Sequence, residues 1–354
     1  MIRTLTAAVS TLALLALAAC GDGAGGGAQS ARNGVWAAGS STVFPFATRV
    51  AENFARTAGG ATPRVESLGT GGGIQAFCQG IGPSTPDIAN ASRPMKASEF
   101  DLCRQNGVTD IVELKIGFDG IVVATARNGT DYDFRLQDLY LGLGKEVMRG
   151  GTAVANPATT WNQVNPALPA QRIQVYGPPP TSGTRDAFLE LGMAPGAKRD
   201  PALAALAASD KDRFETLAHT VREDGVWIDS GENDNAMVQT LSRTPGSLGV
   251  FGYSFLEQNL DTVKAERIDG VAPTFETIAD GSYPLARSLY IYVKKAHIGV
   301  TPGLAQFVQE FMSEGSAGRG GYLQDRGLVP LPADQLAAQR AVATAMTPMQ
   351  RPGA

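Results

Sequence analysis

The sequence predicts an α/β protein that consists of two lobes. One observation is a unit of strand, small-residue turn and helix that occurs three times, beginning near Val35, Val65 and Ile173. The chain after residue 33 is about 320 residues long, more than a single hydrophobic core usually serves. Strand patterns near residues 111–125 and 289–293 enclose a middle region of loops and helices. We therefore expect the chain to leave the first lobe once and return once.

Residues 1–20 have the pattern of an export signal rather than of a folded element. Arg3 precedes an apolar run, residues 5–18, that is too short to span a bilayer. The ending Leu17-Ala-Ala-Cys20 resembles the lipobox of bacterial lipoproteins. That resemblance implies cleavage before Cys20 and lipid attachment to its thiol, which would anchor the protein to a membrane outside the cytoplasm. The alternative is a plain secretory signal that contains a cysteine. Residues 21–33 are rich in glycine and predict a flexible tether.

Net charge indicates the class of partner, and the cysteine and histidine content indicates disulfide and metal sites. The net charge is −4 and the isoelectric point is near 5.4, which argues against nucleic acid as a partner. With Cys20 assigned to lipid, Cys78 and Cys103 form an even pair in an oxidising compartment, so we predict a disulfide between them. With His219 and His297 as the only histidines, the sequence predicts neither a metal site nor a cofactor.

The first two units place small residues where an anion could bind. Gly39-Ser-Ser-Thr42 follows the strand 35–38, and helical spacing begins at Val43. Gly69-Thr-Gly-Gly-Gly73 follows the strand 65–68 and opens a second helix. A glycine-rich turn at the start of a helix lets backbone N–H groups surround an anion. No lysine follows these glycines, and they are contiguous, so neither a Walker loop nor a dinucleotide fingerprint is present.

The next stretch completes the first lobe. Asp87-Ile-Ala-Asn-Ala-Ser-Arg93 is small and polar where a strand should end, and an ordinary surface loop is the alternative. A capped helix beginning near Ser98 carries Cys103. Residues 111–114 and 120–125 predict two strands, and 127–130 predict the crossing into the second lobe.

The third unit lies in the second lobe, which also contains predicted helices at 136–143 and 201–208. A proline run and Thr181-Ser-Gly-Thr184 follow the strand 173–176, and helical composition resumes at Asp186. Unpaired N–H groups at this helix start could hold an anion through Ser182, Gly183 and Thr184. Arg185 adds a fork of donors suited to a tetrahedral oxyanion, although an ordinary capped helix would look similar.

The end of the chain returns to the first lobe. Residues 247–253 predict a buried strand, 278–284 a turn, and 289–293 the returning strand. Two amphipathic helices, 304–312 and 334–345, follow. We expect one lobe to contain 34–126 and 285–354, the other to contain 127–284, and a cleft to lie between them.

Taken together, these motifs resemble the PstS family, the phosphate-binding proteins of bacterial ABC importers. The resemblance extends from about residue 34 to residue 332. The three turns at 39–42, 69–73 and 181–184 have the order and spacing of the family's phosphate loops. Trp161 with Asn165-Pro-Ala-Leu-Pro169, and Pro245-Gly-Ser-Leu-Gly249 with Tyr253, match its scaffold landmarks.

The resemblance implies a type II periplasmic-binding-protein fold, with two α/β lobes joined by a two-stranded hinge and the ligand in the cleft. It implies a monomer that delivers phosphate to a membrane permease and is not an enzyme. Carried over by position, the donors in the two lobes would be Ser41, Thr42, Thr70, Gly71, Ser92, Ser182, Gly183 and Thr184.

Two positions depart from the family pattern. Arg93 follows Ser92 where some members carry an aspartate that accepts the proton of hydrogen phosphate. Pro178 stands where others carry an arginine, and Arg185 comes after the loop instead. We expect Arg93 and Arg185 to bind the anion, and the proton acceptor stays unassigned. Glu232 and Asp234 are candidates, although Asp234 fits better as a helix N-cap.

Three alternatives stay open. The ligand could be another tetrahedral oxyanion, such as sulfate or arsenate. A phosphate-ester hydrolase would need an activated nucleophile or a metal, but the chain has no G-x-S-x-G motif and no histidine beside a candidate serine. Both histidines fit better as structural residues. A lipoprotein that has lost its cleft and only docks other proteins is the third alternative.

Overall fold

The computed structural model describes residues 34–58, 61–231 and 234–353. The predicted signal, tether, lipid-bearing Cys20 and the candidate acceptor Glu232 lie outside these residues. Within them, no helix combines the length and apolar character needed to cross a membrane.

Strands and helices alternate along most of the described chain. The strands are β1 (Trp36–Gly39), β2 (Arg64–Ser67), β3 (Ile88–Ala91), β4 (Ile111–Ala126), β5 (Asp133–Phe134), β6 (Glu146–Arg149), β7 (Thr152–Ala155), β8 (Val175–Gly177), β9 (Trp227–Asp229), β10 (Leu248–Gly252), β11 (Val263–Ala265), β12 (Arg267–Ile268) and β13 (Ala286–Lys294). The α-helices are α1 (Phe44–Ala58), α2 (Gly69–Phe77), α3 (Ala97–Gln105), α4 (Leu136–Leu143), α5 (Trp161–Val164), α6 (Gly183–Phe188), α7 (Ala194–Ala197), α8 (Pro201–Ser209), α9 (Lys211–His219), α10 (Asp234–Arg243), α11 (Tyr253–Gln258), α12 (Phe275–Ala279), α13 (Leu304–Phe311), α14 (Glu314–Ala317) and α15 (Ala333–Ala345). A π-helical turn (Leu189–Met193) joins α6 to α7.

The large sheet has two halves that share β4. Strands β2, β1 and β3 are parallel, and β13 lies antiparallel between β3 and β4. Residues 111–120 of β4 pair with β13, whereas residues 121–124 pair with β10, beyond which lie β8 and β9. We call the β2-β1-β3-β13 side the first half and the β10-β8-β9 side the second half. The predicted lobe boundaries at 126/127 and 284/285 stay predictions.

Strand β4 differs from its sequence prediction. The sequence predicts two strands, at 111–114 and 120–125, but the structure has one strand of 16 residues. The register of β13 on β4 shifts between Leu289 and Tyr290, so a bulge replaces the expected break. Gly117 lies at this irregularity with φ +155°, and a Cβ there would come within 2.7 Å of Leu328 Cδ1. The strand can therefore continue only because residue 117 has no side chain.

The glycine run 69–73 forms the first turns of α2 rather than a separate loop before it. A Cβ on Gly73 would lie 2.3 Å from the Cα of Gly39, so the helix packs directly on the end of β1. The predicted disulfide is confirmed: Cys78, directly after α2, is bonded to Cys103 in α3, and both residues are fully buried. Because this bond closes a loop of 25 residues, it contributes about 3 kcal/mol in the chain-entropy model.

A buried polar cluster supports the neighbouring strands β1 and β3. Asp87 accepts hydrogen bonds from the Trp36 backbone N–H at 2.7 Å and from the Thr301 hydroxyl at 2.8 Å. His297 Nε2 accepts from the Gly82 N–H, so its Nδ1 carries the proton and donates to Asp87 at 2.7 Å. The prediction that His297 is structural therefore agrees with its contacts.

The second half contains a buried carboxyl group, Glu266, which is 3% exposed. Its Oε2 accepts a hydrogen bond of 2.6 Å from the Tyr132 backbone N–H. Its Oε1, the Tyr132 hydroxyl and the Trp161 indole nitrogen have no hydrogen-bond partner among the described residues. Burial raises the pKa of Glu266 to about 7.

We expect Glu266→Gln to stabilise the protein above pH 7. The pKa of Glu266 rises from an ordinary value of 4.5 to about 7 on folding, so the native state holds this proton more tightly. The free energy of unfolding of the wild type should therefore fall as pH rises through this interval. Glutamine keeps an acceptor for Tyr132 and carries no charge. The gain should reach about 3 kcal/mol at pH 8, fall to about 1 kcal/mol at pH 5 and vanish at still lower pH.

Urea unfolding at pH 5 and pH 8 measures this difference. The exposed Glu52, replaced by glutamine, serves as the control for a lost surface charge. An equal effect of Glu266→Gln at both pH values would contradict the expectation.

Candidate anion-binding site

Three helices begin at the edge of the sheet where the parallel strands end. In the first half, residues 40–43 connect β1 to α1, and Leu68 connects β2 to α2. In the second half, α6 begins at Gly183, shortly after β8 ends. Because the first N–H groups of a helix lack intrahelical partners, three sets of donors are available at this edge. Ligands of open α/β sheets bind outside the carboxyl ends of the strands.

The larger cavity at this edge, which we call the cleft cavity, has a volume of about 610 Å³. Both halves of the protein line it. It contains five of the predicted ligand residues, Ser41, Thr70, Gly71, Ser92 and Arg93, together with Ser40, Gly69, Pro94, Glu190, Leu191, Ala194, Lys198, Phe214, Glu215, His219, Arg287, Ser288 and Tyr290. His219, predicted to be a structural residue, therefore lies in the cleft.

A second cavity of about 420 Å³, the inner cavity, adjoins the first. Ser41 lines both. Four further predicted ligand residues line the inner cavity, Thr42, Ser182, Gly183 and Thr184, together with Phe44, Pro45, Phe46, Asp119, Thr181, Asp234, Gly252, Phe255, Asp325, Arg326 and Gly327. The loops of the two halves thus meet around Ser41.

Gly183 allows the two halves to approach closely. A Cβ at this position would lie 3.2 Å from both the carbonyl oxygen of Ser41 and the Cα of Thr42. Ser182 caps α6, since its hydroxyl accepts the Thr184 N–H at 3.3 Å. In the first half, Thr70 Oγ1 accepts the Ser92 N–H at 3.1 Å and lies 3.1 Å from the Ser92 hydroxyl. This contact joins the second and third loops.

The two predicted arginines have other partners. Arg93 donates two hydrogen bonds to the carboxylate of Glu99, at 2.9 and 2.7 Å, which raises the pKa of Arg93. Arg185 donates to Asp229 at 3.0 Å and to the Pro178 carbonyl at 3.1 Å, and its guanidinium lies 4.8 Å from the ring of Trp227. Arg93 lines the cleft cavity, whereas Arg185 lines neither cavity. Direct anion contact by either side chain stays a prediction, and the partners of Arg185 argue against its part in it.

Arg287, a residue that sequence reasoning missed, lies between these loops. Its side chain is only 10% exposed. It donates a hydrogen bond of 2.6 Å to Thr42 Oγ1, and its Nε lies 3.5 Å from Asp119 Oδ2. Arg287 and Asp119 are register partners on the antiparallel strands β13 and β4. Each strand is mainly apolar but also carries other charged residues, Glu113 and Lys115 in β4 and Lys294 in β13, so the available sequence signal was weak.

Asp119 is a buried acceptor in the inner cavity, with a side chain 9% exposed. Burial raises the pKa of Asp119, and the charge of Arg287 opposes this effect. Its Oδ2 has no hydrogen-bond partner among the described residues, because the contact with Arg287 is too long to be a good hydrogen bond. The carboxyl group of Asp119 lines the inner cavity, so a ligand there with a proton to donate could pair with it.

Two acidic side chains of the second half reach donors of the first half. The Ser41 hydroxyl donates to Asp186 Oδ2 at 2.9 Å, and Arg287 Nη1 donates to Glu190 Oε2. Asp186 lies in α6 and Glu190 in the π-helical turn that follows. The structure therefore has polar contacts across the cleft.

These features can bind an oxyanion. No cluster of three metal-ligating side chains occurs anywhere in the ranges that the structure covers. The donors are backbone N–H groups, hydroxyl groups and one buried guanidinium, all of which suit tetrahedral oxyanions.

Comparison with known proteins shows the family to which the chain belongs. A profile described as PBP superfamily domain matches residues 26–315. The chain is a member of the PBP superfamily. It is 33% identical over 300 residues to Protein SphX of a Synechocystis species, covering 83% of this chain and 77% of that protein. It is 30% identical over 325 residues to the phosphate-binding protein PstS of Staphylococcus saprophyticus, covering 90% and 87%. The chain therefore belongs to the PstS family, as its motifs predict.

Solved structures agree with this assignment. A possible phosphate-binding protein from Planctomyces limnophilus matches with a TM-score of 0.69 and 27% identity, covering 88% of this chain and 97% of that chain. An ABC-type phosphate transport receptor from Vibrio cholerae matches with a TM-score of 0.54 and 19% identity, covering 84% and 100%, which supports the fold alone. The predicted type II periplasmic-binding-protein fold is confirmed.

Proposed function

We propose that this protein binds inorganic phosphate outside the cytoplasm and delivers it to an ABC-type importer. The support comes from membership of the PstS family and from relatives named as phosphate-binding proteins. Ser41, Thr42, Thr70, Gly71, Ser92, Ser182, Gly183 and Thr184 are the proposed hydroxyl and backbone donors. They line two adjoining cavities around Ser41.

The buried guanidinium of Arg287 is the observation that carries the proposal. Micromolar capture requires about −8 kcal/mol of net binding free energy. A helix N-terminus contributes only about 0.3 to 1 kcal/mol, so three of them are insufficient. Charge-assisted hydrogen bonds from a desolvated arginine are much stronger. Because Arg287 is nearly buried and contacts Thr42, it can supply the missing free energy at the donors.

Asp119 is the proposed proton acceptor that the sequence left unassigned. Its carboxylate lines the inner cavity and could accept the proton of hydrogen phosphate. Sulfate at neutral pH has no proton, so its oxygens would face an unsatisfied, electron-rich acceptor. Arsenate carries the same protons as phosphate and would pass this test. We therefore favour phosphate and arsenate over sulfate as ligands.

A transport role also fits the remaining features. We propose that Cys20 carries a lipid, that the mature protein is a monomer and that it has no enzymatic activity. The buried disulfide between Cys78 and Cys103 suits an oxidising compartment. A hydrolase would need a nucleophile with an adjacent base; Ser41 beside Asp186 has that form, but the relatives are named as binding proteins rather than as enzymes.

We expect Arg287→Ala to weaken phosphate binding by at least about a hundredfold, because removing one partner of a buried charged contact costs several kcal/mol. Arg185→Ala should change the dissociation constant by less than about threefold, since its guanidinium is occupied by Trp227 and Asp229. Isothermal titration calorimetry measures both, with the exposed Arg56→Ala as a control for net charge. A larger loss from Arg185→Ala than from Arg287→Ala would place the anion elsewhere.

Calorimetry with phosphate and sulfate between pH 5 and pH 8 tests the role of Asp119. The wild type should prefer phosphate by at least about a hundredfold, because a site built to accept a ligand proton rejects an analogue that lacks it. Asp119→Asn presents an N–H donor or a neutral oxygen, so this preference should fall at least about tenfold. Equal affinity of the wild type for both anions would replace phosphate with a general oxyanion.

A further inference from the structure

We propose that Glu190 is an internal competitor of the ligand: it holds Arg287 while the site is free of anion, and phosphate must displace it. The identity of the ligand rests on the proposed function. The proposal itself concerns contacts that the structure shows between the two halves.

Two contacts have the same chemical form. Carboxylates of the second half, Asp186 and Glu190, accept hydrogen bonds from Ser41 and Arg287 of the first half. Both donors are proposed phosphate ligands. A carboxylate presents the same negative oxygens to such donors as a phosphate does. The second half thus places two oxygen groups where the anion is expected to bind.

The two acidic residues are four positions apart in one continuous helical segment. Asp186 belongs to α6, and Glu190 belongs to the π-helical turn that leads into α7. Residues at this spacing face the same side of a helix. A π-helical turn within an α-helix is frequently found at functional sites. This segment therefore presents both carboxylates to the first half at once.

Charge identifies Glu190 as the group that must leave. Arg287 contacts two carboxylates, Asp119 and Glu190, so its single positive charge is already more than balanced. A phosphate dianion at the same guanidinium would be repelled by Glu190, whereas Asp119 would accept its proton. Asp119 is buried on β4 and cannot move into water. Glu190 has a side chain 53% exposed, so it can rotate into solvent at small cost.

Asp186 has a different role from Glu190. Its partner is a neutral hydroxyl, and a serine can turn its proton from a carboxylate to a phosphate oxygen without breaking an ion pair. Loss of the Glu190 contact is thus the step that opposes binding. The same contact favours approach of the two halves when no ligand is present.

Glu190→Gln tests the competition. Glutamine has nearly the same shape but no charge, so it binds Arg287 weakly and does not repel phosphate. We expect the dissociation constant for inorganic phosphate, measured by calorimetry at pH 8, to fall about three- to tenfold. Without phosphate, the radius of gyration measured by small-angle X-ray scattering should rise above that of the wild type.

Glu215→Gln is the matched control. Glu215 lines the same cavity and also carries one negative charge, but its carboxylate pairs with Lys211 at 3.1 Å. If the effect were a general loss of negative charge in the cleft, both variants would tighten binding equally, and that result would overturn the proposal. Thermal unfolding of each variant checks that the fold is intact.

The two measurements separate this proposal from the proposed function. Tighter phosphate binding and a larger ligand-free radius in Glu190→Gln alone support the competition. Unchanged or weaker binding in Glu190→Gln overturns it, since Glu190 would then be neutral or favourable to the ligand. If the wild type binds no phosphate, the proposed function fails, and the radius of gyration of ligand-free Glu190→Gln then decides. A radius larger than that of the wild type supports the role of the Glu190–Arg287 contact. An unchanged radius overturns it.

Discussion

The site depends on one cross-strand pair, Asp119 on β4 and Arg287 on β13. These strands lie antiparallel, and the pair occupies the point where β4 passes from one half of the sheet to the other. Removing two charges from water is costly, so such a pair persists only where geometry and neighbours compensate. Thr42 and Glu190 supply further contacts to the guanidinium. The backbone register of two strands therefore fixes where positive charge is available to an anion.

Around this pair, the remaining donors are positioned by backbone packing. Gly73 packs on Gly39, where a side chain would clash, and Gly183 packs on Ser41 and Thr42, where a side chain would be crowded. The loops approach each other closely because glycines stand at the contact points. The guanidinium of Arg287, in contrast, is supplied by strand β13. A binding site built in this way has rigid walls, and its adjustable parts are the exposed acidic residues of the second half.

The sequence was sufficient for the local features and insufficient for the long-range ones. Small-residue turns after strands are local patterns, so it could be predicted that Ser41, Thr70 and Gly183 lie at one site, and the pairing of Cys78 with Cys103 could also be predicted. Asp119 and Arg287 are far apart in the chain and become neighbours only through sheet register, which no local pattern reports. Arg185 follows a donor loop directly, but its direction is determined by Trp227 and Asp229.

The same limit explains β4. A short polar interval in an apolar run usually ends a strand, yet here a bulge and Gly117 allow the strand to continue through both halves. Whether β4 stops or bends at this interval depends on its pairing with β13, which is far away in the sequence.

The buried disulfide joins Cys78, directly after α2, to Cys103 in α3, and it has a consequence for how the protein matures. Cytoplasmic thiols are kept reduced, so a stable cross-link of this kind is typical of an oxidising environment. Helix α2, whose first turn borders the cleft, is then tethered at its far end. Completion of the ligand pocket is thereby tied to the redox state of its surroundings, and a chain held under reducing conditions would lack this cross-link.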